Sequence, residues 1–258
     1  MKRKKIFKYE EMFPEDFFRE IQKTPVSYFT FGGLEVHGPH NAVGNDGFLP
    51  YYIALKCARN TGGIVFPPVF AACPCFPPLR WQELKSYTKD LSRPSFWNSR
   101  EFIEKMLEEA LWNFEKLGFL VCVLIPGHAP NIAIAKDFCE GINFRNGKLA
   151  IYLANLIDNR YMKNYTEEER THAGIWESSL LKALRYDLSD PSRIKKFLAG
   201  DRGAIPPNEQ LQWEPHKIKD PSLIKAEKSR PYIKEVTSTI SKEVVALLES
   251  QRTNEKKC

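Results

Sequence analysis

Residues 32–46 read "GGLEVHGPHNAVGND" and place Glu35, His37, His40 and Asp46 between glycines, in a chain of 258 residues with only five histidines. In an extended segment residues i and i+2 point the same way, so Glu35 and His37 can face one point. The glycine-flanked turn that follows lets the chain bring Asp46 back to that neighbourhood. Two carboxylates and an imidazole suit Zn²⁺, Mn²⁺ or Fe²⁺ without help from cysteine. The spacing alone leaves a second reading open, in which Asp46 only caps a helix and His37 and His40 lie on the surface. Two further stretches bear on the choice. "VCVLIPGHAPN" puts His128 just beyond an apolar run, and "THAGIWESS" puts His172 and Glu177 at the start of a helical pattern. Two of the three histidine-bearing loops follow apolar strands, where ligand sites gather in open α/β sheets.

The elements that must position these loops are legible in outline. "VSYFTFGGL" (26–34) reads as a buried strand that stops at Gly32 and Gly33. The helical stretch from Asp46 to Gly62 has Asp46 as its expected N-cap and Pro50 near its first turn. "IVFPPVF" (64–70) reads as a short apolar strand. Residues 99–117 space Phe102, Ile103, Met106, Leu107, Ala110, Leu111, Phe114 and Leu117 as one helical face. "FLVCVLIPG" then has the continuous apolarity of a central parallel strand. A helix over "NIAIAKDFCEGIN", a strand over "KLAIYLANL" and helices over "ESSLLKALRYDL", "SDPSRIKKFL" and about 231–249 complete the pattern. Strand–helix alternation of this kind argues for a layered α/β fold. Residues 200–230, rich in proline and lysine, read as irregular.

Composition narrows the function classes. With 43% hydrophobic and 27% charged residues the chain is ordinary for a globular protein, and no apolar run approaches the roughly 20 residues of a membrane span. The basic start is broken by acidic residues before a signal core could form, so the expected location is cytoplasmic. The net charge of +6 is spread over separate stretches without interleaved aromatics, which argues against nucleic acid. None of the six cysteines forms a CxxC pair. Cys122 and Cys139 read as core residues, and Cys73 and Cys75 as a proline-rich loop rather than a soft-metal or redox pair.

"GGLEVHGPHNAVGND" resembles the first motif of the creatininase (creatinine amidohydrolase) family, in which a strand ends in E-x-H-G-x-H and an aspartate follows. "GHAPN" is similar to that family's G-H-G-G-N, and "HAGIWESS" to its H-A-G-x-x-E-T-S. The three occur in family order across about 28–181. The resemblance implies a three-layer α/β/α sandwich with a mostly parallel central sheet, as one domain over 1–258 with a C-terminal extension from about 200. It also implies two divalent metal ions held by Glu35, His37, Asp46, His128 and Glu177, with Asp46 bridging. Glu177 would be a ligand or a base, and His172 a proton-transfer residue. His40, Trp176 and Asn131 would line the substrate pocket, and Trp81 and Arg80 are further candidates for that role.

The implied activity is hydrolysis of a C–N amide bond, other than a peptide bond, in a small cyclic or formylated substrate. Two cations sharing a carboxylate can hold a bridging hydroxide near neutral pH, polarise the carbonyl and stabilise the oxyanion. A histidine can then protonate the leaving nitrogen. The resemblance further implies a homo-oligomer, a hexamer in the family's form, with "FPPLRW" and the C-terminal helix as candidate contacts. Ala129 and Pro130 stand where creatinine-cleaving members carry tyrosine and glutamate, and "CPCFPPLRW" replaces a stretch usually containing serine, a glutamate–histidine pair and "FPGT". These departures make creatinine itself doubtful and motivate a competing reading, a binding protein of the same fold that has lost catalysis.

Overall fold

The computed structural model describes residues 7–87, 93–141, 149–209, 211, 218 and 220–255. The basic stretches at the two extreme ends, Cys258 and part of the 200–230 segment lie outside them. In chain order the elements are α1 (Pro14–Lys23), β1 (Val26–Gly32), α2 (Asn45–Thr61), β2 (Ile64–Val65), β3 (Val69–Phe70), α3 (Trp81–Ser86) and α4 (Arg100–Lys116). They continue with β4 (Val121–Pro126), α5 (Ala129–Gly141), β5 (Ala150–Leu153), α6 (Ile175–Leu184), α7 (Ser192–Leu198) and α8 (Arg230–Glu255).

The sheet runs β2-β1-β4-β5, with β3 also paired to β1, and every one of these pairings is parallel. β1 and β4 lie side by side from Val26↔Val121 to Phe31↔Pro126. Both are buried along their whole length, because helices cover both faces. The period-2 alternation of each strand divides its side chains between two cores. Val26, Tyr28, Val121, Val123 and Ile125 pack with α2, α6 and α8, whereas Phe29, Phe31, Cys122 and Leu124 pack with α4 and α5. A sheet between two helical layers is the α/β/α arrangement the motifs implied.

Residues 64–70 do not form one strand. Pro67 and Pro68 cannot donate to a ladder, so β2 pairs with the first half of β1 and β3 with its end. α4 buries Ile103, Leu107, Leu111 and Phe114, and the Ser99 hydroxyl caps it by accepting from Phe102 N–H. Phe102, expected on the buried face, is 52% exposed, since the packed stripe is narrower than the apolar one. α8 starts within a residue of its expected bound, runs six residues past the expected end to Glu255, and buries Val236, Ile240 and Val244 in the core shared with α2. No helix among the described residues is long and apolar enough to cross a membrane.

One junction sets the position of everything that follows. The Asp46 carbonyl in the first turn of α2 lies where Cβ atoms on Gly32 and Gly127 would come within 2.1 and 1.9 Å of it. Glycine at the ends of β1 and β4 therefore lets the start of α2 press against both strand ends. Pro50, four residues on, has no N–H with which to engage that carbonyl.

Candidate metal centre

The chain leaves β1 at Gly32 and stays extended, with Phe96 N–H donating to the Leu34 carbonyl and Glu35 N–H to the Val43 carbonyl. This extension aims Glu35 and His37 past the C-terminal end of the sheet. Gly38, with φ of 65°, turns the chain, and it returns to enter α2 at Asn45. Asp46 is not the N-cap. Gly44 holds that position, and the Asp46 side chain points out of the first turn toward two imidazoles. Beyond β4 and Gly127, His128 reaches the same carboxylate from the other side.

Backbone carbonyls fix both rings. The His37 Nδ1–H donates to the Glu35 carbonyl at 3.0 Å, which leaves Nε2 facing Asp46 Oδ1 at 3.0 Å and Glu177 Oε2 at 3.7 Å. The His128 Nε2–H donates to the Cys73 carbonyl at 3.0 Å, which leaves Nδ1 facing Asp46 Oδ2 at 2.9 Å and Glu35 Oε2 at 3.2 Å. The two rings thus use opposite nitrogens, and each meets one oxygen of Asp46. Glu35, Asp46 and His128 bring one ligand atom each within 4.8 Å of one another, as do Glu35, His37 and His172.

The donor set fits divalent cations. His37 Nε2 and Glu35 Oε2 are buried and make no directed hydrogen bond, although opposite charge stands close to each. Unsatisfied polar atoms of this kind are rare in a folded interior and mark a place where something else is meant to bind. Imidazoles and carboxylates without thiolate suit Zn²⁺ or Mn²⁺.

The electrostatics agree. Burial opposes charge on His37, but Asp46, Glu177 and Glu35 around it raise its pKa well above the ordinary value. Burial opposes His128 also, and the Asp46 and Glu35 carboxylates beside it push it up to about 10. Burial would raise Asp46, yet the two imidazoles hold it well below the carboxylate range. Both rings are thus surrounded by negative charge, the setting in which a divalent cation is held, and cation binding would compete with protons for the ring nitrogens. Glu177 is raised by burial, which His37 and His172 partly offset.

Glu177 sits in the first turn of α6, where Ala173 N–H donates to its Oε2 at 2.6 Å. The turn that permits this is made by Ala173 itself, in the left-handed region with φ of 53°. Gly174, the next residue, has an ordinary φ. It must be glycine for another reason, because a Cβ would come 2.6 Å from the Thr171 carbonyl oxygen. His172 precedes the helix and is the most exposed of the set. Its Nε2–H donates to the Val36 carbonyl at 2.9 Å, its Nε2 lies 3.9 Å from Glu35 Oε1, and its ring centroid lies 4.4 Å from that of His37.

The pocket residues read from the sequence divide differently. His40 is buried on the far side of the turn, its Nε2 2.8 Å from the Ser178 hydroxyl, and it belongs to neither metal-capable group. Burial, with the positive charge of His37 nearby, pushes its pKa down to about 3. Asn131, expected at the pocket, is turned to the backbone. It is fully buried, its amide donating to the Ala71 carbonyl and accepting from Cys73 N–H, so it holds the backbone that orients His128. Trp176 points into the core against Tyr232 instead of toward Glu177, since successive helical residues diverge by about 100°. Trp81 is 54% exposed at the start of α3, with Arg80 beside Glu101. Cys73 and Cys75 are free thiols, and the Cys73 sulfur accepts from Leu79 N–H. Pro130 is buried in the first turn of α5, where its missing N–H costs nothing. The sequence did not single out Trp97, whose ring lies 5.7 Å from that of His128.

The creatininase family, described as creatinine amidohydrolase, matches residues 10–244. No curated protein gives a significant sequence match. A crystal structure of creatinine amidohydrolase (creatininase) is 17% identical with a TM-score of 0.68, covering 93% of this chain and 97% of that one. A mutant creatininase of Zn–Zn type is 18% identical with a TM-score of 0.65, covering 93% and 98%. A creatininase Mn structure is 16% identical with a TM-score of 0.63, covering 92% and 97%. At these identities the likeness is one of fold.

Proposed function

The chain belongs to the creatininase family, and from that premise we propose that it is a metal-dependent hydrolase cleaving the C–N amide bond of a small cyclic or formylated molecule. The observation that carries this reading is the Asp46 carboxylate, with one oxygen 3.0 Å from His37 Nε2 and the other 2.9 Å from His128 Nδ1. A carboxylate so placed is suited to two ions at once. Glu177 and His37 would hold one, Glu35 and His128 the other. The zinc and manganese forms of the related creatininases favour these metals here too. When bound, a pair of such cations supplies a water acidic enough to ionise near neutral pH and positive charge for the carbonyl oxygen.

The chain's own residues do the rest. The carbonyls of Glu35 and Cys73 hold the imidazoles in the tautomers that the cations need. Ala173 N–H holds Glu177 against the His37 side. His172, more exposed and beside His37, is placed to hand a proton to the leaving nitrogen. Its grouping with Glu35 and His37 makes a ligand role the alternative, and metal content decides between the two.

The test is elemental analysis of protein loaded with zinc or manganese, with a turnover screen over small lactams, imides and formamides. We expect two ions per chain, lost from Asp46→Ala because that side chain would serve both coordination spheres. Wild-type stoichiometry in Asp46→Ala would overturn the centre. Two tightly held ions with no turnover across the panel would favour a binding protein of the same fold.

A further inference from the structure

Trp97 stands beside the candidate centre without a role in holding it. Its ring centroid is 5.7 Å from that of His128, with the planes tilted by 37°. Its indole Nε1–H is buried and has no hydrogen-bond acceptor among the described residues. Trp176 shares that second property, but its ring lies in the core against Tyr232, away from the carboxylates. Among the described tryptophans, only Trp97 combines an unused donor with a ring beside a candidate metal ligand.

The backbone on each side of Trp97 is fastened to the same segments that carry the centre. Phe96 N–H donates to the Leu34 carbonyl at 2.8 Å, one residue before Glu35. Asn98 N–H donates to the Ala72 carbonyl at 2.7 Å, and the Asn98 side chain accepts from Ala72 N–H at 3.3 Å. Ala72 precedes Cys73, whose carbonyl orients His128. Immediately beyond, Ser99 caps α4. Trp97 is therefore held at both flanks, by the extension of β1 and by the loop under His128, and its ring position is set by the frame of the site.

We propose that Trp97 is a substrate-binding residue, its indole N–H donating to an acceptor oxygen on the amide held over His128. This rests on the amidohydrolase reading. A fixed donor left without a partner beside a reaction centre is what a site has when its acceptor arrives with the ligand, and it disfavours ligands that cannot accept. The substrate class narrows to planar amides that carry a second acceptor besides the oxygen facing the cations, as cyclic imides and ureides do.

The test uses zinc-loaded protein, ¹⁵N-labelled in its tryptophan indoles, titrated with N-hydroxysuccinimide, a planar cyclic imide whose second carbonyl oxygen stays free when the first and the N–O group face the cations. The Trp97 signal is identified by its loss in Trp97→Phe. At saturation the wild-type Trp97 indole N–H should move downfield and exchange more slowly, with the remaining indole signals unmoved. Trp97→Phe, with zinc content unchanged, should bind the probe roughly 2- to 10-fold more weakly, the effect of one neutral hydrogen bond. An unmoved Trp97 signal at saturation, or equal affinity in Trp97→Phe, overturns the assignment while leaving the centre intact. Zinc-loaded wild type that does not bind the probe at all overturns the amidohydrolase reading, and this inference with it.

Discussion

His37 lies beside both His40 and His172, and what each ring nitrogen faces sets the three apart. His37 turns Nε2 to two carboxylates, whereas His40, three residues later, turns Nε2 to the Ser178 hydroxyl. His40→Ala should therefore keep its metal by elemental analysis and lose about 1–3 kcal/mol of stability in urea, because the buried polar groups around Ser178 lose a partner. A variant stripped of metal would make His40 part of the centre. For His172 the expectation is the reverse of structural. His172→Ala should lower turnover by a factor on the order of 10²–10⁴ with both ions retained. Unchanged turnover would remove it from the chemistry, and lost metal would recast it as a ligand. The charged members of the candidate centre were legible in the sequence because their side chains are the groups that could hold a metal. Cys73 and Ala173 were not, since they act through a carbonyl and an N–H that every residue possesses. Trp97 was missed for a related reason: nothing in its spacing signals that two loop hydrogen bonds set it beside His128.

At the scale of elements, the strands and helices were readable wherever burial imposes a period, as along β1, β4 and α4. The pattern misled where local chemistry overrides it. Asp46 has the composition of an N-cap, yet its carboxylate gives up the helix end to face two imidazoles. The prolines of 64–70 divide an apolar run that reads as continuous. What no pattern discloses is the close approach of α2 to the strand ends, which depends on glycine at two positions far apart in sequence. Gly127→Ala tests it. Its Cβ would lie 1.9 Å from the Asp46 carbonyl oxygen and 2.8 Å from Pro50, and backbone at that distance cannot yield without moving the first turn of α2. Overpacking of this kind costs about 1–3 kcal/mol or more. Since Asp46 moves with that turn, metal affinity should fall alongside stability. Gly141→Ala near the end of α5 is the control, because its Cβ would meet nothing within 4 Å. Equal urea midpoints for the two variants would show that the junction is not tight.

Across the whole molecule the candidate ligands come from four separate stretches: the extension of β1, the first turn of α2, the loop after β4 and the first turn of α6. Two of them follow the central strands, and two open helices that share the core with α8. Ions bound there would tie together parts of the chain up to 142 residues apart, from Glu35 to Glu177, and would bind the folded state alone, because the unfolded chain does not gather these groups. Metal is then linked to global stability and not only to activity. At free metal 100-fold above its Kd, one site contributes about 2.7 kcal/mol, which in a chain of this size corresponds to a rise in melting temperature of roughly 5–11 °C. Protein stripped by a chelator should melt lower by that order, and returning zinc or manganese should restore the transition. In Asp46→Ala the melting temperature should not respond to metal, although the variant still folds with two imidazoles beside Glu35 and Glu177. Identical melts for stripped and reloaded wild type, with elemental analysis confirming that the metal had left and returned, would mean that the ions do not bridge these four stretches in the folded protein.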